Sequence, residues 1–137
     1  MARVDWGNGL NKFTATLRSK AKAIQDASDE VVLDSAEYGA NLMRKYIETR
    51  GTGYVGPGLR ATAEGRIDTG QMYDDVGVGQ VRRNPSGVAV NFGWVGNVED
   101  YYRWQEDGFG KVPPMHALLD ASIQTRTYFY GRIKELV

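Results

Sequence analysis

Cysteine is missing from this 137-residue chain. Disulfide staples and thiolate metal sites are thereby excluded, and a reducing compartment suits the chain. Surplus charge is missing too, since 17 Lys and Arg balance 17 Asp and Glu. Phosphate affinity rests on excess Lys and Arg, so bulk charge gives no argument for nucleic-acid binding, although a local basic patch stays open. No apolar run approaches the roughly 20 residues that span a bilayer. Met1 to Leu10 hold no apolar core of the kind a secretory signal needs. Neither membrane nor export is therefore expected. A neutral small protein has little charge to keep its copies apart, which permits assembly.

The length is that of a single domain, 1–137. Hydrophobic residues make up 42%, enough for one modest core. Residues 1–9 carry Asp5, Gly7, Asn8 and Gly9, and read as an irregular arm, with Asn8 or Asn11 capping the segment after it. From about residue 10 to 49 apolar residues then step by three and four. The series is Leu10, Phe13, Leu17, Ala21, Ile24, Ala27, Val31, Tyr38, Leu42 and Tyr46, which predicts a long amphipathic helix. Uninterrupted, it would be on the order of 55 Å long, more than a domain this small can cover. Part of its stripe is expected to meet another chain. The alternative is a break near Asp26 to Asp29, where capping residues gather.

A glycine stop at Arg50-Gly51 is expected to end this helix. Residues 51–70 hold six glycines and Pro57, a loop that is either disordered or ordered by a partner. Residues 71–95 predict a β-hairpin. Its first strand runs from Met72 to Val81, its turn is Arg83 to Gly87, and its second strand alternates Val88, Val90, Phe92 and Trp94. Tyr101 to Phe109 is a short helix or a third strand. Pro113-Pro114 opens a last helix over about 114–135. The fold class expected is α+β, two helices packed on a small antiparallel sheet.

No constellation of residues carries an obvious chemistry. Gly51-Thr52-Gly53-Tyr54-Val55-Gly56 matches G-x-G-x-x-G, but that pattern holds a pyrophosphate only between a strand and a helix, and here it comes after a helix. His116, the single histidine, has no cysteine and no G-x-S-x-G serine to activate. An enzyme would need His116 to meet Glu106 or Asp120 in a pocket. Adjacent acidic pairs such as Asp74-Asp75 diverge on a helix or strand and read as solvated. No catalytic residue, metal or cofactor is expected. Glu106 stands apart, because it sits among Tyr101, Tyr102, Trp104 and Phe109 and suits an interface whose Arg comes from a neighbour. Arg60, Arg66, Arg82 and Arg83 give the middle of the chain a slight basic tilt. Trp94 is in phase with the hairpin's apolar face, whereas Trp104 is an interface candidate.

The order of these parts resembles the neck, or tail-completion, proteins of long-tailed bacteriophages, the minor tail protein Z type. Thr69-Gly70 matches that family's Thr-Gly ahead of the hairpin. Tyr102 with Glu106-Asp107-Gly108 matches its aromatic and Glu-x-Gly element. Pro113-Pro114-Met115 with Ala117-Leu118 matches its entry to the final helix. The resemblance runs from about residue 10 to 135. It implies a non-enzymatic virion protein forming a homo-oligomeric ring at the head–tail junction, around the path of the DNA. Tail terminator and head-closure rings are the same idea at another level, and a small DNA-binding protein is the alternative of another class. Implied partners are identical subunits, other neck and tail proteins, the major tail protein among them, and non-specifically the passing DNA. The expected contact residues are Gly51, Gly53, Tyr54, Gly56, Arg60, Arg66, Asp68, Thr69, Gly70, Trp104, Glu106 and Phe109. Deletion of the loop at 51–68 is expected to leave the subunit folded and block assembly.

Overall fold

A computed structural model describes the backbone of residues 6–52, 64–66, 70–95, 99–110 and 112–136, with side chains from Thr14 onward. The fold is α+β. Helix α1 spans Trp6–Thr49 as one continuous helix of 44 residues, about 66 Å long. No break interrupts Asp26 to Asp29, and the expected arm at 1–9 is already helical from Trp6. No proline occurs until residue 57, so the helix runs on through the capping residues at Asp26 to Asp29 without losing a backbone donor.

The expected hairpin is present but starts later. Gln71–Asp74 forms a one-turn helix, α2, instead of strand. Strand β1 (Val76–Val78) pairs antiparallel with β4 (Phe92–Trp94), and β2 (Arg82–Asn84) pairs with β3 (Gly87–Ala89). Between the two ladders, residues 79–81 face only residues 90–91, so one extra residue shifts the register from Val78↔Phe92 to Arg82↔Ala89. A bulge of this kind bends and twists a ribbon. The bent tip reaches back to α1, where Arg83 pairs with Asp29 at 3.7 Å. Asn84 Oδ1 holds the turn by accepting from the Ser86 N–H at 3.0 Å.

Helix α3 covers Asp100–Asp107 and settles the ambiguous aromatic stretch. Helix α4 covers Ala117–Lys134, three residues later than the prolines suggest. Met115 and His116 are held outside it, and His116 occupies the left-handed region at φ 52° as the residue before the helix. Helix α4 lies antiparallel to the second half of α1. Asp34 pairs with Arg132 at 3.7 Å, Tyr38 stacks on Tyr128 at 4.1 Å, and Arg50 pairs with Asp120 at 2.5 Å.

One core results, built from Ala40, Met43 and Ile47 of α1, Met72, Val76, Tyr102, Met115, Ala117 and Ala121. It is displaced from the expected stripe, since Tyr38, Leu42 and Tyr46 are half-buried flanks. Two partners cover α1, helix α4 on one side and the ribbon on the other, and the small buried residues Ser35, Ala36, Gly39 and Ala40 let both approach, while Met43 and Ile47 fill the core beyond them. Gly39 is the clearest case, because a Cβ there would meet the Phe92 ring at 2.5 Å.

Candidate functional site

Arg66 is 4% exposed although it lies in the glycine-rich stretch. Gly65 makes this possible. A Cβ on it would lie 2.0 Å from the Glu48 carbonyl, so only glycine lets the segment press on the end of α1. The Arg66 N–H donates to Ile47 O at 2.6 Å. Its guanidinium donates from Nε to Arg50 O at 2.8 Å and from Nη2 to Pro113 O at 2.7 Å. Nη1 donates to both the carbonyl and the side chain of Gln105 at 3.0 Å. Burial lowers the guanidinium's pKa, and the charge of nearby Glu106 works in the opposite direction. The group stays charged regardless.

Glu106 is 8% exposed and is the second half of this joint. Its Oε1 accepts the Leu118 N–H at 2.9 Å, and its Oε2 the Leu119 N–H at 3.0 Å. These are orphan donors of the first turn of α4, so Glu106 caps that helix from another element. The Met115 and His116 N–H groups bond to the carbonyls of Gln105 and Glu106 at 2.8 and 3.1 Å. Arg66 and Glu106 thus tie the end of α1, α3, the Pro113-Pro114 segment and α4 together. Tyr102 anchors the same helix from below, its ring fully buried and its hydroxyl donating to Asp75.

This corrects two expectations. The sequence pattern places Arg66 and Glu106 against a partner, with Glu106 awaiting a neighbour's arginine. Both instead point inward and are satisfied within the chain. The burial of Thr52 and Arg66 argues against the expectation that the 51–68 loop can be removed from a folded subunit, and most of that loop lies outside the described residues. No local pattern signals the role of Arg66, whose guanidinium acceptors lie 16, 39 and 47 positions away.

The other candidates are scattered. Gly51 is half-buried at the end of α1, and Gly70 precedes α2 with φ 85°. Gly53, Tyr54, Gly56, Arg60, Asp68 and Thr69 lie outside the described residues. Trp104 and Phe109 are 49% and 63% exposed and stack on one another at 5.1 Å. His116 contributes backbone groups, while the Asp120 carboxylate goes to Arg50 and the Glu106 carboxylate to α4. Among the described residues no group of three His, Asp or Glu is placed to hold a metal. No helix among them is long and apolar enough to cross a membrane.

What the described residues leave largely uncovered lies in the first half of α1. Residues 14–26 are exposed on every side, with Leu17 at 52% and Ile24 at 56%. Helix α4 ends beside Asp34, and the ribbon tip reaches Asp29 and, at Gly87, the side chain of Gln25, so neither covers the residues before Gln25. Some 20 residues therefore project from the body, about 30 Å of helix. Arg18, Lys20 and Lys22 are exposed along it, and no acidic residue occurs before Asp26 within α1. A second apolar row, Leu119, Ile123 and Tyr130, is at least half exposed on α4. No known protein family, no curated protein and no solved structure matches the chain.

Proposed function

We propose that this chain is a non-enzymatic structural subunit of a homo-oligomeric ring at the head–tail neck of a tailed bacteriophage, where it completes the tail around the DNA passage. The observation that carries the ring is the projecting half of α1. A lone helix segment with Leu17 and Ile24 in water forgoes about 1.5–3 kcal/mol per side chain that burial would return. Tertiary packing, not propensity, keeps most helices stable. A neighbouring copy supplies that packing, and a projecting arm received by a different face of the next copy is the heterologous contact from which rings close. The placement at the neck rests on the motif order Thr69-Gly70, Tyr102, Glu106-Asp107-Gly108 and Pro113-Pro114. The Glu106 cap gives that motif a structural purpose, orienting the last helix.

Native mass and negative-stain imaging test the ring. A closed annulus of fixed copy number is expected, and a monomer at every concentration overturns the reading. The neck assignment is tested by joining. A phage lacking this protein should accumulate separate heads and tails, and adding the purified chain should join them.

A DNA-binding reading draws support from exposed Arg18 and Lys22, four residues apart on one face of the helix, with Lys20 on another face and Lys22 paired with Asp26 at 3.3 Å. Within a ring these residues would touch passing DNA. A steep loss of duplex binding with salt, measured on a monomeric chain, would favour that reading over the ring.

A further inference from the structure

A groove of about 290 Å³ opens between α1, the ribbon and α4. Val32, Ala36, Phe92 and Phe129 give it apolar walls, and Arg126 is the one charged residue lining it. Thr125 also lines it, is 8% exposed, and its hydroxyl has no hydrogen-bond partner among the described residues. Leaving a buried hydroxyl unpaired is unfavourable, so an occupant offering a donor is favoured. Arg126 has no carboxylate partner among the described residues. On α1, Asp34 is paired with Arg132 and Asp29 with Arg83, each at 3.7 Å.

The same chain carries a matching projection. Asp100, Trp104 and Asp107 share one exposed face of α3, at the i, i+4, i+7 spacing of a helix stripe. Phe109 stacks on Trp104 and stiffens it. Asp100 is unpaired among the described residues, and Asp107 is held only by exposed Arg103 at 3.7 Å. The projection is aromatic, acidic and carries an indole N–H. The groove is apolar, basic at Arg126 and carries a lone acceptor.

We infer that the Trp104–Phe109 pair of one copy seats in the α1–ribbon–α4 groove of the next, with the indole N–H on the Thr125 hydroxyl and Arg126 against Asp100 and Asp107. This rests on the ring reading and names a contact within it. Because projection and groove are different faces of one chain, the contact repeats head to tail.

The absence of cysteine makes a direct test simple. Asp107→Cys and Arg126→Cys are placed together in one chain, both at exposed positions. Oxidation should yield a ladder of covalent oligomers, and a mixture of the two single variants should yield dimers and nothing larger. Adding Trp104→Ala should weaken association at least tenfold. A chain of ring-like native mass that gives no ladder overturns this contact and leaves the ring standing; some other occupant then fills the groove. Dimers formed by either single variant alone would mean a symmetric contact and also overturn it. A monomeric wild type overturns both.

Discussion

Arg66 illustrates how a charged side chain survives burial. Its donors reach carbonyls on three separate segments, so desolvation is offset by hydrogen bonds made to a charged group, which are about twice as strong as neutral ones. Removing one partner of such an arrangement costs more than the arrangement itself is worth, because the rest is left stranded. Arg66→Met should lower stability by about 3–5 kcal/mol, and the melting temperature should drop by roughly 10 °C or more for a domain of this size. Glu106→Gln keeps an acceptor but loses the charge at the start of α4, and about 1–2 kcal/mol is expected from that loss. An unchanged melt for both would remove the joint from the account. Tyr102 gives a pH signature. Burial, then its hydrogen bond to Asp75, raises the phenol well above its ordinary value of 10.0. Its contribution is fully present below pH 10 and declines above it, because the unfolded tyrosine ionises there while the folded one does not. Urea midpoints should therefore fall as pH rises past 10, with a shallower slope in Tyr102→Phe.

Helix α1 is two structures in one. Its second half is buried between α4 and the ribbon, and the close approach depends on Gly39. Gly39→Ala should gain about 1 kcal/mol of helix propensity and lose about 1–3 kcal/mol to the Phe92 ring. A net fall in melting temperature is expected, reversed when Phe92 is shortened to Val. Residues 14–26 of its first half make almost no contact with the other described residues, the Gln25 side chain beside Gly87 excepted. The double variant Leu17→Glu, Ile24→Glu should leave the melt of the isolated subunit within about 2 °C, since exposed substitutions usually shift stability by under 0.5 kcal/mol. The same variant should abolish the oligomer by native mass. A large loss of subunit stability would mean that the stripe is covered from within.

As a body, the subunit joins a packed part, the described residues from 27 onward with one core, to a projecting rod. That asymmetry is what a head-to-tail assembly requires, and the apolar rows on the rod and on α4 are separate faces. Assembly driven by burial should resist salt, while any contribution from Arg126 with Asp100 and Asp107 should weaken above physiological ionic strength. Mass measured across a salt series should therefore show a modest decline, not a collapse. A collapse would assign the assembly to charge.

Much of this architecture was legible from one dimension. The 3.6-residue rhythm of α1, the alternation from Val88 to Trp94 and the Pro-Pro entry to α4 are local patterns, and local patterns arise from backbone geometry alone. The continuity of α1 was only half legible, because a run without proline permits it while the capping residues from Asp26 to Asp29 left a break open. Three features were not legible. The one-residue bulge depends on pairing between strands, which no single strand declares. The burial of Arg66 depends on Gly65 meeting Glu48 and on acceptors some forty positions away. Glu106 carries the same acidic-aromatic neighbourhood whether it faces a partner or caps a helix, and only the fold, by bringing the start of α4 to its carboxylate, selects between them. Interactions that close long loops are chosen by three-dimensional proximity, so they leave no period in the sequence to read.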